Sequence, residues 1–117
     1  MKRVALFPGS FDPFTAGHLN ILQRALTMFD EVVVAVGINI GKKGFFSNEK
    51  KLDIIRQATA GMEGVRIIHY DDLTINICRE LGIRHIVRGV RNMIDFETER
   101  SIADANRRLA PEIETII

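Results

Sequence analysis

The segment Phe7-Pro8-Gly9-Ser10-Phe11-Asp12-Pro13-Phe14-Thr15-Ala16-Gly17-His18 sets small, turn-forming and hydroxyl-bearing residues just ahead of a histidine. A short apolar run, Val4-Ala5-Leu6, comes before it, and apolar residues at helical spacing come after. This is the pattern of a turn from a first strand to a first helix. Backbone N–H groups and the positive end of the helix dipole converge at such a turn, which suits a phosphate. An imidazole beside that cradle can donate a hydrogen bond to the same anion. Two other segments carry phosphate-binding residue types, Lys42-Lys43 and Arg88-Gly89-Val90-Arg91. Arginine grips a phosphate through parallel bonds, whereas lysine acts as a compact charge.

Alternating elements must bring these segments together. The pattern predicts strand one over residues 3–7 and helix one over 19–29, with Leu19, Leu22, Leu26 and Phe29 on one face. The run Val32-Val33-Val34-Ala35-Val36 predicts a strand over 31–37, buried on both faces of a parallel sheet. A loop over 39–46 leads to helix two over 47–60, capped by Ser47, with Leu52, Ile55 and Ala58 turned inward. Strand three follows over 65–70. Helix three spans 74–81 and is closed by Gly82. Strand four covers 84–87, helix four 95–109, and a fifth strand 114–117. Helix four has a thin apolar face, Phe96, Ile102, Ala103 and Leu109, so it either packs on another subunit or lines a polar site. Repeated βα units imply a doubly wound α/β fold, a Rossmann-like parallel sheet with helices on both faces. Ligands then bind beyond the carboxyl ends of the strands, where the loops after strands one, two and four carry His18, Lys42 and Arg88.

Size and charge narrow the classes of function. The chain has 117 residues, 46% hydrophobic and 26% charged, as expected of a single folded domain. A net charge of +1 recruits no nucleic acid, and an anion site must come from local placement of Lys and Arg. The single cysteine, Cys78, excludes an internal disulfide framework and suits a reducing cytoplasm; its place beside Leu81 on a helical stripe predicts a core position. No apolar run approaches the roughly 20 residues of a membrane span, so no membrane role is expected. A dinucleotide-dependent dehydrogenase is disfavoured, because the first turn lacks Gly-x-Gly-x-x-Gly and strand two ends in Gly37 rather than in a ribose-binding acid.

Pro8-Gly9-Ser10-Phe11-Asp12-Pro13, Thr15-Ala16-Gly17-His18, Arg88-Gly89-Val90-Arg91 and Asp95-Phe96-Glu97 together resemble bacterial phosphopantetheine adenylyltransferase, of the nucleotidyltransferases with a Thr/His-x-Gly-His signature. The resemblance runs from Met1 to Ile117. It implies that ATP and 4′-phosphopantetheine give dephospho-coenzyme A and pyrophosphate, with magnesium, in a cytoplasmic homohexamer. It implies that Ser10 contacts both substrates, that Phe11 contributes to the ATP site, and that His18 binds ATP phosphate and steadies the transition state. Lys42 and Arg88 would hold the phosphate of the acceptor and Thr74 would lie against it, while Gly89, Val90, Arg91 and Glu99 would contact the nucleotide. Thr98 stands where some relatives have an aromatic residue. Family members continue past Ile117 with a strand, a Ser/Thr-rich turn and further helices, so the chain is expected to lack that C-terminal segment.

The chemistry so implied is attack of a phosphate oxygen on the α-phosphorus of ATP. The nucleophile is already an anion and needs no general base. Catalysis would come from positioning and fixed donors, with magnesium carried on the phosphates. Other readings stand beside this one. A nucleotide- or coenzyme-A-binding module without turnover would share the motifs, as would a nucleotidyltransferase acting on nicotinamide mononucleotide or a phospho-alcohol. Single residues also have plainer readings. Asp12-Pro13 is turn architecture, Thr15 and Thr74 are helix caps as readily as ligand contacts, and His69, His85 and Lys43 carry no role. Arg88 and Arg91 could pair with Asp95, Glu97 or Glu99, Glu99 could be an exposed helix charge, and Asn106-Arg107-Arg108 reads as a solvated or intersubunit face.

Overall fold

A computed structural model of the chain describes residues 2–38 and 47–117. Its elements alternate as β1 (Val4–Gly9), α1 (Ala16–Ala25), β2 (Glu31–Gly37), α2 (Asn48–Ala58), β3 (Val65–Tyr70), α3 (Thr74–Leu81), β4 (His85–Val87), α4 (Met93–Leu109) and β5 (Glu114–Ile116). The sheet runs β3-β2-β1-β4-β5, and every pairing is parallel. The chain winds outward from β1 to β3, then returns to lay β4 on the other side of β1. The switch point of this doubly wound sheet therefore lies between the carboxyl ends of β1 and β4.

Each face of the sheet carries its own core. Along β2, Val32, Val34 and Val36 pack with Leu22, Ala25, Phe29 and Ile55, while Val33 and Ala35 pack with Ile75, Cys78, Ile86 and Ile113. Side chains alternate across a strand, so burial on both faces calls for the unbroken apolar run seen in the sequence. Cys78 is a core residue, and burial pushes its thiol up to about 11.

Local chemistry moves several boundaries. Helix α1 begins earlier than its apolar periodicity, because Thr15 caps it, and residues 26–28 form a turn that still delivers Phe29 to the core. Ser47 caps α2 as expected, its hydroxyl accepting from the Lys50 N–H. Ala58, expected to point inward, is exposed; the inward stripe runs through Lys51, Ile55 and Thr59, each four residues from the next. The Thr59 hydroxyl enters the core by donating to the Ile55 carbonyl at 2.8 Å. Gly82 closes α3 in the left-handed region, φ 70°. Thr74 does not cap α3. Leu73 holds the cap position, and the Asp72 carboxylate accepts from the Leu73 N–H at 2.7 Å and from the Asn76 side chain at 3.0 Å. Helix α4 starts at Met93, capped by Asn92, and none of its residues is fully buried.

Candidate active site

The turn after β1 is organised around aromatic rings. Phe11 adopts a φ of 45° and is buried, and its ring lies so close under Gly9 that an added Cβ there would stand 3.1 Å from it. The His18 ring packs nearly parallel to Phe14, with centroids 5.5 Å apart and an interplanar angle of 30°, and meets Phe11 edge-on at 5.0 Å. His18 and Thr15 form a reciprocal capping pair. The Thr15 N–H donates to His18 Nδ1 at 2.9 Å, and the His18 N–H donates to Thr15 Oγ1 at 3.3 Å. Histidine takes the place that Glu or Gln holds in the usual capping box.

This pairing settles the tautomer. A backbone N–H can only donate, so Nδ1 is the acceptor and the neutral ring carries its proton on Nε2. Burial among the rings, then the charges of Arg88 and Arg91, hold the His18 pKa below the ordinary histidine value. The side chain at the helix start is thus a neutral imidazole at pH 7, with an Nε2–H to donate.

Arg88 leaves the end of β4 and reaches across to β1. Its Nε and Nη2 donate to the two carboxylate oxygens of Glu99 at 2.9 and 2.8 Å, and its Nη1 donates to the Pro8 carbonyl. Glu99 is therefore no exposed helix charge; its side chain is 12% accessible. Arg91 pairs with Asp95, Nε to Oδ2 at 3.1 Å, but its side chain stays 88% exposed. Gly89 sits where a Cβ would come within 2.9 Å of the Ile21 side chain, so any larger residue there would have to displace Ile21 of α1.

Two cavities meet at this edge. The larger, about 690 Å³, runs past Ile38, Tyr70, Thr74, Ile102 and Asn106. The other, about 590 Å³, is lined by Phe11, His18, Gly89, Val90 and Arg91 among others. Pro8, Gly9, Ser10, Arg88 and Glu99 belong to both, forming the seam between them. The structure thus gathers Ser10, Phe11, His18, Arg88, Gly89, Val90, Arg91 and Glu99 around one cavity and puts Thr74 in the next. Lys42, with Lys43, lies outside the described residues.

Three contributors escape the sequence reading. Phe14 packs on His18. Tyr70 ends β3 at the same edge, and its hydroxyl meets that of Thr74 at 3.0 Å. Asn106, expected on a solvated or intersubunit face, is half-buried and lines the larger cavity with Glu99, Ile102 and Ala103. Those four positions repeat at helical spacing, the signal that would have grouped them. Among the described residues no three His, Cys, Asp or Glu side chains gather as a metal site, and no helix is long and apolar enough to cross a membrane.

A sequence model of the cytidylyltransferase-like family matches residues 6–117. Phosphopantetheine adenylyltransferases of Lacticaseibacillus casei and Leuconostoc citreum are 49% and 51% identical to this chain, over 98% and 97% of its length and 70% and 72% of theirs. That of Bacteroides fragilis is 48% identical, over 98% of this chain and 76% of its own. Among solved structures, a lipopolysaccharide core biosynthesis protein from Thermoplasma volcanium superposes with a TM-score of 0.69 at 20% identity, covering 98% of this chain and 94% of that one. A bifunctional NMN adenylyltransferase/ADP ribose pyrophosphatase from Francisella tularensis gives 0.68 at 24%, covering 99% and 37%. Likeness at these identities speaks for the fold alone.

Proposed function

We propose an adenylyl transfer for this chain, which belongs to the phosphopantetheine adenylyltransferases within the cytidylyltransferase-like family: ATP and 4′-phosphopantetheine give dephospho-coenzyme A and pyrophosphate. The observation that carries this reading is the pair of cavities joined at a seam that holds Ser10 and Arg88, with His18 beside it. A two-substrate transfer needs two adjoining sites and a place where the reacting groups touch.

In this reading ATP takes the cavity of His18, Gly89, Val90 and Arg91, and the acceptor takes the cavity of Thr74 and Asn106. Ser10 borders both, and Phe11 shapes the nucleotide side. A phosphate oxygen of the acceptor attacks the α-phosphorus. The bond from that phosphorus to the bridging oxygen breaks, and pyrophosphate leaves with the electron pair. His18 donates from Nε2 to the phosphoryl oxygens as their charge grows, and its proton stays in place. Arg88 offsets the repulsion between the two anions, and Lys42 is assigned to the same phosphate. Magnesium carried on the polyphosphate would supply further charge neutralisation. The carboxylates of Glu99 and Asp95 are engaged by Arg88 and Arg91, which favours a metal held by the nucleotide. Self-association, to the hexamer that the resemblance implies, draws support from α4, where Met93 and Ile94 are 76% and 79% exposed.

The test is pyrophosphate release from ATP with each of two acceptors, 4′-phosphopantetheine and nicotinamide mononucleotide. Release with the first alone is expected. Release with the second alone would move the chain to another acceptor class, and tight coenzyme binding without release would make it a binding module.

A further inference from the structure

We propose that Glu99 is a positioning residue, which together with the Pro8 carbonyl locks the Arg88 guanidinium across the seam and so sets recognition of the acceptor's phosphate. This rests on the adenylyl-transfer reading and assigns Glu99 to the acceptor side, where the resemblance would put it on the nucleotide.

The hydrogen bonds carry the argument. Both carboxylate oxygens of Glu99 accept from Arg88, side-on through Nε and Nη2, and Nη1 is spent on Pro8. A guanidinium has five N–H donors, so one remains on each Nη, the number a two-bond grip on a phosphate requires. Arg88 and Glu99 side chains are 29% and 12% accessible, so the pair is held by its surroundings as well as by its charges. What Arg88 then offers, besides its charge, is direction, in the form of donors already held in place. A long side chain left free would have to be ordered by each arriving ligand; here α4 and β1 have ordered it already. Misplacement of such a group by about 1 Å can cost roughly 100-fold.

Two variants test this, Glu99→Gln and Glu99→Asp. The first keeps the size but cannot complete the side-on fork; the second keeps the charge but falls short of it. Calorimetry with 4′-phosphopantetheine and with unphosphorylated pantetheine, alongside steady-state kinetics, gives the readout. Both variants are expected to weaken phosphopantetheine by about tenfold or more, with pantetheine and the ATP KM within about twofold of wild type. In an Arg88→Gln background, Glu99→Gln should add less than about twofold, because the two residues act as a unit. A raised ATP KM with unchanged phosphopantetheine affinity would overturn the proposal in favour of a nucleotide contact, and so would effects that multiply in the double variant. Should Glu99→Gln fail to fold, Glu99→Asp carries the same comparison. If the wild-type protein releases no pyrophosphate, the adenylyl-transfer reading fails, and the two binding titrations still decide the role of Glu99.

Discussion

His18 and Arg88 stand on one cavity and are held there by opposite means. The polar partner of His18 is three residues away, at Thr15, and its ring neighbours Phe11 and Phe14 belong to the same turn. Arg88 depends on Glu99, eleven residues on, and on Pro8, eighty residues back. The first group is aimed by a stretch of chain that folds on itself. The second is aimed only when β1 pairs with β4 and α4 lies over the seam. Chain-local placement brings a fixed tautomer, since a capping bond commits one ring nitrogen. Placement by topology brings linkage, since a group bonded to two elements senses both.

The contrast can be broken at either end. The largest effect is expected at His18. His18→Ala should cut turnover about 100- to 1,000-fold with a far smaller change in the ATP KM, measured by steady-state kinetics, because the donor acts on charge that appears in the transition state. An unchanged turnover number would remove His18 from the chemistry. Arg88→Lys comes next. It keeps the charge but cannot reach both Glu99 oxygens and Pro8, so the phosphopantetheine KM should rise roughly tenfold or more. Wild-type kinetics in that variant would mean that charge alone suffices and that the long-range bonds are idle.

Thr15→Val probes the local arrangement more gently. It removes the cap oxygen but spares the N–H that holds Nδ1, and urea denaturation should register a loss of about 1 kcal/mol with the His18 tautomer unchanged by NMR. The smallest effect concerns protonation. Burial first, then the charges of Arg88 and Arg91, lowers the His18 pKa in the folded protein below the ordinary histidine value of 6.5. The unfolded chain therefore binds the proton more readily, and His18 costs stability as the pH falls below that value, with no contribution above it. An NMR titration of the free protein should give a midpoint below 6.5, and Arg91→Gln should raise it slightly. A wild-type midpoint at or above the ordinary value would mean that the ring is better solvated than its packing implies.

The same division governs what could be read in advance. Residues 7–18, the Ser47 cap and the Gly82 stop were legible because each is settled within a few residues. The parallel sheet followed from the alternation of elements and the handedness of crossovers, whereas the strand order, and so the switch point between β1 and β4, came only with the structure. The partner of Arg88 was not legible. Asp95, Glu97 and Glu99 were equal choices in one dimension, and only the phase of α4 against β4 selects Glu99. Asn106 was hidden for the same reason, its polar neighbours Arg107 and Arg108 suggesting a solvated face. Thr74 looked like a cap because hydroxyls often are. Leu73 holds that position without any side-chain cap, and the Thr74 hydroxyl meets Tyr70 instead.

The wall that both cavities share bears on how the reaction ends. In the proposed reading each substrate alone has one compartment to hold it, but a product joined across Ser10 and Arg88 would be moored in both. A half that lets go would then rebind its own site at high effective concentration, tethered by the other half. Such a product would leave more slowly than either precursor, and its accumulation would throttle the forward flux without any site set aside for regulation.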